Sequence, residues 1–447
     1  MEQQNLRKVF LKYAVPSISA MWFFSIYTMI DGIFVGRGIG SKALAAVNLS
    51  MPYINTIFAV ALLIAVGSST LITYYLGKGE NSLSNNIFTI NFIVLTIIGI
   101  VLTIISLVFL EDLAIILGAT EKTLPLVMDY LKIIVYFSTF FIVAYSLEVL
   151  VKADGFPILS IIVVTLAALI NIGLDYLLVI KLDFGIQGAA IATGSSQLIS
   201  YIVFLCYFIW GKSQLKFVKP DFKLSYIKDI FIIGTPESLN ELSAAFTIFV
   251  FNFTIGRFIG SHGLAAFGVI MYLNNLVLMT MIGINQGMQP LISYYNGQDN
   301  EANIHNILKL ALKVGLGFSI FFFLSSQFFT EQLVSLFIDS QEQKPFNLSV
   351  YGLKTFSIGF LLCSINIILS GYFTALKQVK QAVMISLLRG YLAVGATLLI
   401  FPHLLGDFGI WFSPFVYEGI TLLLSTILYL YYKKGTITDS SVIPGKI

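Results

Sequence analysis

Charge is what this chain has least of. Asp, Glu, Lys and Arg supply 11% of its 447 residues, against roughly 25% in an average soluble domain. That shortage excludes a soluble globular protein, and a net charge of only +3 is too small for a nucleic-acid binder. Cysteine is nearly absent: Cys206 and Cys363 both fall in apolar runs, so no disulfide framework is expected. Histidine occurs three times. His262, His305 and His403 all read as loop residues, and no nucleophile elbow occurs. An intramembrane enzyme needs a His, Cys or paired-acid constellation in its core, so enzymatic activity is not expected, and neither is a cofactor. A signal-peptide pattern is also lacking. Met1-Glu-Gln-Gln-Asn5 is polar, and the apolar run after it is too long and carries no cleavage site.

What the chain has instead is hydrocarbon. Hydrophobic residues make up 57% of it, and the mean hydropathy is +0.89. Apolar runs long enough to cross a bilayer core of roughly 30 Å recur throughout. Twelve spans are predicted: Val9–Val35, Leu44–Leu76, Ile87–Leu110, Leu124–Val151, Pro157–Ile180, Gly185–Trp210, Asp229–Ile255, Leu264–Tyr295, Ile307–Phe329, Phe346–Ala375, Val379–Phe401 and Phe408–Tyr432. The fold class is therefore an all-α polytopic membrane protein whose surroundings are the lipid bilayer. Between spans 6 and 7 lies the longest join, a polar stretch with Lys212, Lys216, Lys219, Lys223 and Lys228. It divides the chain into 1–210, a loop 211–228, and 229–447. With the N-terminus inside, and Lys12, Lys309 and Lys380 at the inner ends of their spans counted there, 16 Lys and Arg fall on that side, six on the other and four deeper within spans. The positive-inside rule then places both termini in the cytoplasm, in the cytoplasmic membrane.

The two halves repeat. At an offset of 220 residues, Pro16 meets Pro236, Gly36-Arg37 meets Gly256-Arg257, and Leu44-Ala-Ala46 meets Leu264-Ala-Ala266. Between Pro16 and Gly77 the two copies share 18 identities. Six spans return the chain to its starting side, so the halves have one orientation. Two six-helix lobes related by a pseudo-twofold along the membrane normal follow, a common transporter plan with its site near the repeat interface.

Acids inside the membrane need a reason, since each costs on the order of 2.5–3.5 kcal/mol there. Asp31 lies four residues before the outer end of span 1, and Asp175 five before that of span 5. Asn171 shares a helical face with Asp175, and Thr193 on span 6 is about as deep as Asn171. Apart from Lys12 at the inner end of span 1, no Lys or Arg occurs in those spans to neutralise the acids. Carboxylate, amide and hydroxyl oxygens suit a hard cation such as Na+, and paired acids could equally carry a proton. The structural alternative has Asp31 bonding backbone at a helix end and Asp175 near the surface. The second half departs from this pattern: Phe251 replaces Asp31, while Glu237, Glu241 and Glu418 are its deep acids, candidates for a cationic substrate or a second ion. Glu148 and Lys152 are spaced for a local ion pair. Pro16 and Pro236 lie inside their spans, where each removes a backbone hydrogen bond and bends or hinges the helix.

Taken together, Asp31-Gly-Ile-Phe-Val-Gly36, Gly40, Leu44-Ala-Ala46, Pro16 and the second copy opening at Pro236 resemble the multidrug and toxic compound extrusion (MATE) family over essentially the whole chain. The resemblance implies two six-helix lobes forming a V around a central cavity. It also implies export of amphipathic, often cationic compounds in exchange for Na+ or H+. The family's N-lobe cation site uses an aspartate on helix 1, an Asn and Asp one turn apart on helix 5, and a threonine on helix 6, which Asp31, Asn171, Asp175 and Thr193 match. Some branches add a carboxylate pair on helices 7 and 10, but helix 10 has no acid here.

A lipid-linked glycan flippase of the same superfamily is the competing expectation. It would line its cavity with several cations, whereas beyond Lys12, Lys309 and Lys380 at inner span ends only Lys132, Lys313, Lys354 and Arg389 touch spans, mostly near their ends. A passive channel fits a two-lobed repeat with one ion site less well than an exchanger does. The chain is expected to act as a monomer on small-molecule substrates, as a multidrug efflux antiporter.

Overall fold

The computed structural model describes residues 2–339 and 341–440, so the final residues of the 229–447 division, 441–447, lie outside it. Among the described residues, twelve helices are long and apolar enough to cross a membrane. They are α1 (Leu6–Gly36), α2 (Lys42–Gly77), α3 (Asn81–Val108), α4 (Leu124–Ala153), α5 (Pro157–Lys181), α6 (Gly185–Trp210), α7 (Leu224–Phe258), α8 (Ser261–Gly297), α9 (Glu301–Phe328), α10 (Gln343–Ala375), α11 (Val379–Leu405) and α12 (Asp407–Lys434). No strand occurs among the described residues. Apolar side chains surround backbones whose hydrogen bonds close within each helix, the arrangement that hydrocarbon demands. Hydroxyls in the helices are satisfied locally as well. Ser50, Thr73 and Thr397 each donate to a carbonyl one turn back.

Several helices outrun the apolar stretches that predict them. His262, His305 and His403 consequently sit in helix ends rather than in loops. Both α1 and α7 pass through Pro16 and Pro236 without interruption. The 220-residue offset extends beyond the membrane. Short helices Leu110–Ile116 and Thr330–Ser335 follow α3 and α9 at corresponding positions. The α1–α2 turn pivots on Gly40 at φ 122° and the α7–α8 turn on Gly260 at φ 86°. A side chain there would be strained, which is why glycine stands at both places.

The helices gather into two compact units. The first comprises the described parts of Met1–Leu242, Ile282–Leu310 and Ala375–Lys377. The second comprises those of Ser243–Met281, Ala311–Thr374 and Gln378–Ile447. The first part of α7 and the last part of α8 thus belong with the first six helices. Within the first unit α4 is the hub, packed against α2, α3 and α6, while α1 lies along α5. In the second, α12 packs on α10 and α11.

Where α7 and α8 join the first unit, backbones meet with no side chain between them. A Cβ on Gly297 would lie 2.0 Å from the Tyr74 carbonyl oxygen, and one on Gly77 2.1 Å from that of Tyr294. The two contacts are the same contact seen from each copy of the repeat. Beside them, a Cβ on Gly234 would fall 1.6 Å from the Leu63 carbonyl oxygen, and Ser293 donates to the Thr70 carbonyl at 2.6 Å. Gly234→Val must push α7 off α2, an overpacking that costs about 1–3 kcal/mol. The purified variant is expected to melt several degrees lower. Gly268→Val, where the added atom meets nothing within 4 Å, should melt as the parent does.

Candidate cation-binding site

The site is built on three helices of the first unit. Along α5, the α-helix runs to Asp175 and then widens into a π-helical turn over Tyr176–Lys181. Such turns interrupt the regular ladder and recur at functional positions. Asn171 lies one α-turn before Asp175, so both side chains leave the same face. Both are fully buried, and Asp31 on α1 is 8% exposed. The Asp31 and Asp175 carboxyl groups are close enough to feel each other's charge. From α6, the Thr193 hydroxyl accepts a long bond from Asn171 Nδ2 at 3.4 Å. The structure therefore brings Asp31, Asn171, Asp175 and Thr193 together on α1, α5 and α6.

What this pocket lacks is a donor. Asp31 Oδ1, Asn171 Oδ1 and both Asp175 carboxyl oxygens are buried with no hydrogen-bond partner. A buried carboxylate left unpaired costs several kcal/mol, and two side by side cost more. Unpartnered oxygens converging from carboxylates and an amide are the chemistry that a hard monovalent cation, or a shared proton, would satisfy. Among the described residues no group of three or more His, Cys, Asp or Glu could hold a metal. The pocket thus relies on neutral oxygens beside its two acids.

Three neighbours escape the sequence reading. Tyr27 and Tyr130 are buried within electrostatic range of both acids, and Gln197 lies beside the Tyr27 hydroxyl. Tyr27 stands four residues before Asp31, and Gln197 four after Thr193. The one-turn spacing that joins Asn171 to Asp175 is therefore the signal that finds them. Tyr130, on α4, carries no such signal.

The remaining acids fall into different settings. On α7, Glu237 Oε1 accepts hydrogen bonds from Gln289 Nε2 at 2.6 Å and Asn285 Nδ2 at 3.3 Å, both on α8. Asn285 Oδ1 is left without a partner. Glu241 stands one turn further along α7, close enough to feel the charge of Glu237. Glu418 on α12 is held otherwise. Arg389 lies on α11 in a second π-helical turn, Leu388–Leu392. Its Nε and Nη2 reach Glu418 Oε1 at 2.9 and 2.8 Å. Asn366 Nδ2 donates to Glu418 Oε2 at 2.7 Å. Arg389 is thus well inside its span, not near an end, and its charge is spent on Glu418.

Glu148 and Lys152 form their ion pair at 2.8 Å, both buried. The pair is part of a larger chain of bonds. Ser160 donates to Glu148 at 2.8 Å, Lys152 to Gln286 Oε1 at 2.7 Å, and Gln286 to the Tyr145 hydroxyl at 3.0 Å. Nothing in the one-turn spacing of Glu148 and Lys152 points to Gln286, 134 residues away.

Comparison with known proteins agrees with this architecture. The MatE family model matches residues 16–177 and again 236–396, one match in each copy of the repeat. The chain is similar to the multidrug export protein MepA of Staphylococcus aureus, at 27% identity over 99% of this chain and 98% of that one. Among solved structures it resembles a multidrug resistance MATE family transporter of the MOP superfamily in an outward-facing conformation. The TM-score is 0.91 and the identity 21%, over 97% of each chain. A MOP superfamily transporter from Pyrococcus furiosus, described as having a binding pocket of reverse polarity that suggests a different function, matches as well. There the TM-score is 0.90 at 21% identity, over 95% of each chain. Two family matches offset by one repeat, on a twelve-helix membrane fold shared with these transporters, place the chain in the MatE family.

Proposed function

We propose that this protein is a secondary antiporter that exports amphipathic, cationic compounds across the cytoplasmic membrane in exchange for Na+ or H+. One observation carries the reading: Asp31 Oδ1, Asn171 Oδ1 and both Asp175 carboxyl oxygens are buried with no donor within the protein. A site left short of positive charge is complete only when an ion arrives, which ties its occupancy to the external ion concentration. The multidrug export named for the S. aureus relative supports the substrate class. The bodies that move are the divisions 1–210 and 229–447, joined by 211–228, with Pro16 and Pro236 as hinges and both termini cytoplasmic. Glu237 and Glu241 supply negative charge for a cationic substrate, whereas Glu418 is already neutralised by Arg389. The buried cations also weigh against a glycan flippase. Lys152 and Arg389 each face a carboxylate, so neither is free for a pyrophosphate.

The energetics suit exchange. One positive charge moving inward through 100 mV releases about 2.3 kcal/mol, enough for roughly a fifty-fold substrate gradient. If a monovalent substrate leaves as a monovalent ion enters, the potential cancels and the ion gradient alone drives transport. Reconstituted protein loaded with a cationic dye tests this with each gradient imposed separately. Efflux is expected with one inward gradient, of Na+ or of protons, and to cease without it. Efflux that persists with neither gradient would remove the coupling.

A further inference from the structure

The segment between α6 and α7 has the composition of a loose linker but is not held like one. Asp154, just past the end of α4, receives three hydrogen bonds where the segment begins. They come from the Tyr207 hydroxyl at 2.5 Å and from the Gln214 and Leu215 amides at 2.9 and 3.2 Å. Burial raises the pKa of this carboxyl, and the same donors pull it back toward its usual value. Further along, one end of α3 takes over. Asn85 accepts from the Lys216 amide at 3.0 Å, Thr89 from that of Val218 at 3.1 Å, and Asn86 from that of Asp221 at 2.8 Å. Phe217 packs on Phe88 and Phe92. The segment is a strap fastened along its length.

Its lysines face outward. Lys212, Lys216, Lys219 and Lys228 are exposed, and no ion pair among the described residues involves them. Lys223 alone is paired, with Asp221 at 3.0 Å. Large apolar side chains stand exposed at both ends of the strap: Trp210 closes α6, and Leu224 opens α7. Because those helices span the membrane, the strap between them lies at headgroup depth, where an aromatic ring and basic side chains together favour the interface.

We infer that the strap is a binding surface for anionic phospholipid headgroups, its lysines held ready for the phosphates and Trp210 and Leu224 set against the acyl boundary. A soluble acidic partner fits less well, since it would have to cover apolar side chains that the bilayer already covers. The inference takes the strap's cytoplasmic side from the orientation proposed above. There a lysine near an anionic leaflet contributes about 1 kcal/mol, equivalent to about a fivefold change in affinity. Fastening the backbone reduces the entropy lost when lipid binds.

Native mass spectrometry of the detergent-purified protein tests this without reference to transport, so its outcome is separable from that of the antiport reading. The parent protein is expected to retain phosphatidylglycerol in preference to phosphatidylcholine. Lys212→Gln, Lys216→Gln, Lys219→Gln and Lys228→Gln combined, all at exposed positions, should abolish the preference. Asn85→Ala with Thr89→Val keeps every lysine but removes two of the strap's fastenings, and should weaken retention several-fold. No preference in the parent would overturn the proposal. So would full retention after those fastenings are removed, which would reduce the effect to diffuse charge. Displacement by glycerol phosphate at equal concentration would show that the acyl chains contribute nothing, and would overturn it too.

Discussion

Asp31→Asn combined with Asp175→Asn is expected to reduce ion-driven dye efflux by more than about a hundredfold, while the protein still folds and inserts. Losing a group that merely supports a ligand costs 10–100-fold; losing both charges of the pocket should exceed that. Stability separates this from a structural defect, because it should move the other way. In the ion-free parent Asp31 Oδ1 and both Asp175 carboxyl oxygens are buried with no donor, a standing cost that the amides reduce. The variant should therefore melt at or above the temperature of the ion-free parent. An ion that binds only the folded protein adds RT ln(1 + [L]/Kd). At a hundred times the dissociation constant this is about 2.7 kcal/mol, so the parent's melting temperature should climb with the coupling ion while the variant's stays level. A parent indifferent to both Na+ and pH, or a variant that responds as the parent does, would leave these acids with a structural role only.

Much of this architecture is written in the sequence, for physical reasons. A bilayer demands about twenty apolar residues per helix, so composition alone locates twelve spans, and only their ends run on. The repeat shows in identities at Pro16, Gly36 and Gly77 because both copies meet the same constraints. At Gly77 and Gly297 that constraint is a backbone carbonyl with no room for a side chain. Depth within a span groups Asp31, Asn171, Asp175 and Thr193, since helical rise converts residue count into ångströms. The sequence is silent where structure departs from a regular helix or where partners are remote. The π-helical turns after Asp175 and around Arg389 have no apolar signature. Arg389 meets Glu418 across 29 residues and Lys152 meets Gln286 across 134, distances over which one-turn spacing says nothing. The strap is a third case: a polar, lysine-rich stretch reads as solvent-facing, and its fastening by Asn85, Asn86, Thr89 and Asp154 appears only in three dimensions.

Arg389→Met is expected to destabilise the protein by about 3–5 kcal/mol, the cost of leaving a buried charge without its partner. Glu418 would keep Asn366 at 2.7 Å but lose both guanidinium contacts. The size of that loss says little about the value of the pair, because most of it is the penalty on the survivor. Arg389→Met with Glu418→Leu removes both charges and should recover most of the stability, giving a coupling energy of several kcal/mol in a double-mutant cycle of melting measurements. Transport then separates the two polar clusters. If Arg389 is a resident cation that closes the Glu418 site to mobile ions, the double variant should keep the parent's dependence on the driving gradient, even at a reduced rate. Loss of that dependence would assign Glu418 to the coupling pathway. Its persistence beside the inactive Asp31 and Asp175 variant would leave a single ion pocket, on α1, α5 and α6, to drive the exchange.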